Sequence, residues 1–147
     1  MTVADAGGYK LKAEFGGITR ELLQSSGSDD IMEMAQQITF KSLNLVYTDD
    51  SAVGRALTMT AKKLGANKDD VIALWLEEVR KGLAAAETPD TFNEMVIEAV
   101  TRFLNDPNTL AVSFNPPQPL PAGQLMGALM FGPASLIPAL NISIAAE

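Results

Sequence analysis

Near the start of the chain, Tyr9, Leu11, Ala13 and Phe15 alternate with Lys10, Lys12 and Glu14. Period-two alternation places apolar side chains on one face and charges on the other, which predicts a half-buried strand. Gly16-Gly17 ends it. Ile18, Leu22 and Leu23 predict a short helix over 18–24, followed by a loop at 25–30 and a further helical turn over 31–37. A second strand is expected over 38–47. Ile38 and Phe40 share one parity there, whereas Leu43, Leu45 and Tyr47 share the other. The phase changes near Lys41-Ser42, so a bulge is expected.

A three-to-four residue spacing then takes over. Val53, Ala56, Leu57, Thr60, Ala61 and Leu64 predict a helix that Asp49-Asp50-Ser51 opens and Gly65 closes. Asn67 is the expected N-cap of a second helix, with Asp69 and Asp70 in its first turn. Its apolar stripe is Val71, Leu74, Trp75 and Val79, widened by Ile72, Leu76 and Leu83. Thr88-Pro89 opens a third helix, with Pro89 expected at the first helical position. Phe92, Met95, Val96, Ala99, Val100 and Phe103 form its stripe, and Asp106-Pro107 ends it.

Leu110, Val112 and Phe114 predict a third strand. Pro116, Pro117, Pro119 and Pro121 follow and exclude a central strand there. Leu125, Met126, Leu129 and Met130 fit a short helix over 123–131. A half-turn over 136–140 leads into a fourth strand carrying Leu140, Ile142 and Ile144. Strands that alternate on one face, with the helices segregated between them, indicate an α+β fold: a mainly antiparallel sheet of about four strands with three main helices packed on one face. At 147 residues the chain is expected to form a single domain. The early strand suggests a fragment of a longer protein.

Charge narrows the function. Eighteen acids against eleven bases give a net charge of −7, so nucleic acid is not an expected partner. There is no His and no Cys. Ser–His and Cys–His nucleophiles, imidazole and thiolate metal sites and disulfides are therefore excluded. The acid pairs Asp29-Asp30, Asp49-Asp50, Asp69-Asp70 and Glu77-Glu78 point about 100° apart where they are helical, so they do not converge as an acid–base pair. Glu98 with Arg102 and Glu77 with Lys81 read as i,i+4 ion pairs on a solvated face. Gly7-Gly8 and Gly16-Gly17 lack the spacing of a phosphate loop. No catalytic residue, cofactor or metal is expected, and the chain is read as non-enzymatic.

From Pro107 to Ala146 there is no Asp, Glu, Lys or Arg, although charged residues make up 20% of the chain. Three readings compete. The segment forms central strands and a crossover packed under the helices; it lines a groove for a lipid or other apolar ligand; or it enters a bilayer, which Pro121, Gly123, Gly127, Gly132, Pro133 and Pro138 oppose. A groove would be lined by Trp75, Met95, Leu125, Met126, Leu129, Met130 and Phe131. The first strand, at Tyr9–Phe15, is a candidate edge for pairing with a neighbouring domain or another copy.

Residues 43–65 (LNLVYTDDSAVGRALTMTAKKLG), 103–121 (FLNDPNTLAVSFNPPQPLP) and 136–144 (LIPALNISI) together resemble a group of uncharacterised secreted or envelope-associated bacterial proteins. There the resembling module lies late in the chain behind an export signal. Residues 1–8 of this sequence have no such signal. The resemblance implies a periplasmic or envelope location and carries no catalytic motif. Together with the missing catalytic inventory it yields the expected function: a binding or structural module of an envelope protein, with an apolar-ligand or lipid carrier as the alternative.

Overall fold

A computed structural model describes residues 2–3, 7–20, 24 and 36–147. The elements are β1 (Thr2–Val3), β2 (Gly7–Gly16), β3 (Thr39–Thr48), α1 (Ala52–Leu64), α2 (Lys68–Ala85), α3 (Asp90–Asn105), β4 (Thr109–Phe114), β5 (Leu120–Pro121), α4 (Ala122–Met130), a 3-10 turn (Pro133–Ser135), α5 (Ile137–Leu140) and β6 (Ile142–Ala146). The fold is α+β. Its antiparallel sheet has the order β1-β2-β3-β4-β6, with β5 also paired to β3. Of the two short helices expected before β3, Arg20, Gln24, Gln36 and Gln37 are helical. The remainder, with the 25–30 loop and Asp29-Asp30, lies outside the described residues.

The chain divides into two compact units: Met1–Leu11, Leu45–Val112 and Ser143–Glu147 form one, and Lys12–Asn44 with Ser113–Ile142 form the other. In the first, α1, α2 and α3 bury Leu57, Ala61, Val71, Ile72, Leu76 and Leu104, with Val53, Trp75 and Val100 packed against them. Phe103 of α3 meets Tyr47 of β3 edge-on at 5.8 Å, and Tyr47 meets Tyr9 at 4.9 Å. Thr109 and Glu147 exchange both backbone hydrogen bonds at 2.9 Å, which fixes β6 antiparallel to β4.

In the second unit, Phe40, Leu136 and Leu140 are buried, with Leu43, Phe114, Leu120, Leu125, Ala128 and Ile142 around them. Phe40 and Leu43 belong to this one cluster although three residues apart. β3 runs continuously through Lys41-Ser42 between them. Asn44 lies beside Ser113, while Phe40 pairs with Leu120. Seven steps along one chain oppose four along the other. The proline run takes up this three-residue excess, and β5 resumes the pairing that β4 leaves.

The helix ends show what side chains contribute. Asn67 accepts the Asp70 amide at 2.9 Å, and the Asp70 carboxylate accepts the Asn67 amide at 3.2 Å, closing a capping box on α2. Gly65 ends α1 with φ +62°. Pro89 is the residue before α3 rather than its first turn: ψ 144° keeps it extended, and Asp90 starts the helix. Ser51, in left-handed backbone, does not cap α1 with its side chain; Asp49 does. The fourth strand begins at Ile142, because Asn141 at φ +45° interrupts it after Leu140.

Candidate functional site

Several polar side chains capable of chemistry have structural tasks. Asp49 Oδ1 accepts both the Tyr47 hydroxyl at 2.8 Å and the Val53 amide at 3.1 Å. Burial first, then the hydrogen bond and the negative charge of Asp49, push the Tyr47 hydroxyl up to about 12. It therefore keeps its proton near neutrality and is poorly suited to acid–base exchange there. Asp69 and Asp70 sit in the first turn of α2, where Asp70 completes the box. Glu78 pairs with Lys81 at 2.8 Å and Glu77 approaches Arg80 at 3.8 Å. Lys81 thus engages the acid three residues back rather than Glu77, whose own approach is also at i,i+3. Glu98 meets Arg102 at 3.5 Å. Among the described residues, no group of three or more acids could hold a metal ion, and no helix is long and apolar enough to cross a membrane.

The apolar candidates separate by unit. Trp75 and Met95 belong to the first, where Trp75 packs half-buried against the helical core and Met95 is half-buried on α3. Leu125, Met126, Leu129, Met130 and Phe131 belong to the second. Leu125 and Ala128, three residues apart on α4, pack against the Phe40 cluster. Met126, Leu129 and Met130 lie on a different side of the helix, with exposures of 63%, 60% and 88%, and Phe131 beyond the helix end is 87% exposed.

This tip is held by its backbone. Pro121 sets the entry to α4 with φ −57° and ψ 137°. At the exit Phe131 donates to Ala128 O and Gly132 to Leu129 O. Gly132 has φ +100°, and the Ser135 hydroxyl contacts the Ala128 and Gly132 carbonyls at 2.9 and 2.8 Å. The result is an ordered apolar projection with no charge in it. A helix that is apolar on every side is normally buried or covered, yet α4 has no buried residue. Within the charge-free segment Leu136, Leu140 and Ala146 are buried and the end of α4 is not; of the two strands expected to be central, β4 lies between β3 and β6, whereas β6 is at the edge of the sheet.

One feature was missed in the sequence. Ser51, Gly54, Arg55, Thr58 and Met59 recur at helical spacing and, with Lys68, line an open depression of about 420 Å³ on α1. Their spacing is that of any solvent-facing helix side and carries no motif that marks a depression.

A family model described as "Uncharacterized protein" matches residues 1–147. No curated protein and no solved structure matches the chain.

Proposed function

We propose that this chain, which belongs to that uncharacterised family, is a non-enzymatic binding module that engages an apolar partner through the exposed end of α4. The observation that carries the reading is the pairing of order with exposure at Met126, Leu129, Met130 and Phe131. Fully burying one large apolar side chain is worth roughly 1.5–3 kcal/mol, so covering these four would contribute substantially to association. Exposure of 60% or more makes them an outward surface rather than the walls of an enclosed ligand cavity, which favours docking over carriage of a lipid. The envelope setting is part of the proposal and rests on the sequence resemblance.

Site-specific photocross-linking from position 131 in cells tests the reading, with exposed Leu64 on α1 as the control position. A discrete adduct from 131, absent from 64 and lost when Met130→Ser is added, is the expected result. Equal labelling from both positions would remove the reading. Extraction of a stoichiometric lipid instead of a cross-linked protein would favour the carrier.

A further inference from the structure

Among the described residues, the sheet leaves most of β2 open along its outer side. β1 pairs with it only at Gly7 and Gly8, and among the described residues no other strand pairs there. The strand nevertheless continues to Gly16. Tyr9, Leu11 and Phe15 are 58%, 64% and 52% exposed. Alternation puts them on one side of β2; in the first unit Tyr9 meets Tyr47 at 4.9 Å, and in the second Phe15 meets Phe40 at 6.0 Å. On the opposite face Lys12 Nζ and Glu14 Oε1 stand 2.9 Å apart.

An unpaired edge is a template for another strand, and charge is the usual deterrent. Here the two charges are opposite in sign and flank Ala13. Read in reverse, Lys12-Ala13-Glu14 is its own complement. We propose that β2 pairs antiparallel with β2 of a second copy of this chain, across a two-fold axis at Ala13. In that register Lys12 lies opposite the partner's Glu14 and Glu14 opposite the partner's Lys12. On the apolar face Leu11 lies opposite the partner's Phe15, and the reverse. A one-residue slip sets the charged face against the apolar one. An axis at Lys12 pairs Lys10 with the partner's Glu14 but sets lysine against lysine at its centre, and one at Glu14 sets acid against acid; directly opposed like charges are unfavourable. Of these three axes, the one at Ala13 sets no like charges directly against each other, and this self-complementarity favours a second copy over an unrelated strand.

Sedimentation equilibrium of the full chain over a concentration series tests the pairing. A reversible dimer is expected. Lys12→Glu and Glu14→Lys should each weaken it about tenfold, and an equimolar mixture of the two variant chains should restore it, because each then supplies the sign the other lacks. The ion pair within one chain cannot explain rescue by mixing. The absence of cysteine allows a second measurement that does not depend on those variants folding well. Directly opposed residues in an antiparallel pair have Cα atoms about 4.5–5.5 Å apart, within disulfide reach. Ala13→Cys should therefore form an interchain disulfide under mild oxidation, and Lys10→Cys should not. A monomer at every concentration, a mixture no tighter than its components, or faster cross-linking by Lys12→Cys than by Ala13→Cys would overturn the proposal.

Discussion

Tyr47 and Asp49 are joined by a 2.8 Å hydrogen bond from the phenol to Oδ1, and the same oxygen receives the Val53 amide. One carboxylate thus ties the end of β3 to the first turn of α1. Ser51 occupies the N-cap with φ +67° and makes no capping bond of its own. Asp49→Ala should cost about 1–2 kcal/mol, the range for a lost cap, read as a shift in the urea midpoint. Tyr47→Phe should cost less, since the Val53 amide keeps its acceptor.

The same contact sets an alkaline limit on stability. In the fold, burial and Asp49 push Tyr47 up to about 12, above the ordinary tyrosine value of about 10. The fold favours the protonated phenol, so this contribution is complete below about pH 10 and is lost as pH rises through about 12. Melting temperatures of the protein should fall across that window. Tyr47→Phe should flatten that part of the decline while leaving neutral-pH behaviour nearly unchanged.

Two glycines should respond in opposite directions to alanine. Gly17 has φ +75°, and a Cβ there would clash with the Gln37 carbonyl oxygen. Backbone cannot yield as a side-chain tip can, so Gly17→Ala should destabilise strongly or prevent folding. Gly82 lies within α2 with nothing within 4 Å of an added Cβ. Gly82→Ala should stabilise by roughly 0.5–1 kcal/mol. Thermal melts of both variants provide the comparison.

Burial makes a parallel contrast. Leu57 is 3% exposed in the helical core, and Leu57→Ala should cost roughly 2–5 kcal/mol. Phe131→Ser removes more apolar surface but should change stability by less than about 0.5 kcal/mol, because that surface is already in water. Equilibrium denaturation of the two variants measures the difference. A large loss at Phe131 would mean the side chain is packed.

The helices and main strands were legible because each shows one period over many residues. The N-cap at Asn67 and the helix end at Gly65 were legible from local chemistry. β1 and β5 were not, since two-residue strands such as Leu120–Pro121 exist only through their partners. Asp49-Asp50-Ser51 marked the start of α1 without showing which side chain caps it, because that is decided by the backbone angles at Ser51. At the candidate site, apolar composition alone could not separate Leu125, packed on the Phe40 cluster, from Met130 and Phe131, which face solvent. That difference depends on where helix rotation points each side chain.

The chain order of β4 and β6 bears on synthesis. β4 leaves the ribosome ahead of the proline run, α4 and α5, and its outer neighbour β6 follows only after all of them. During that interval a nascent polypeptide presents Thr109–Phe114 as an unprotected strand with no ionic gatekeeper. Until Ile142–Ala146 docks beside it, that strand is a point of entry for chaperones or for aggregation.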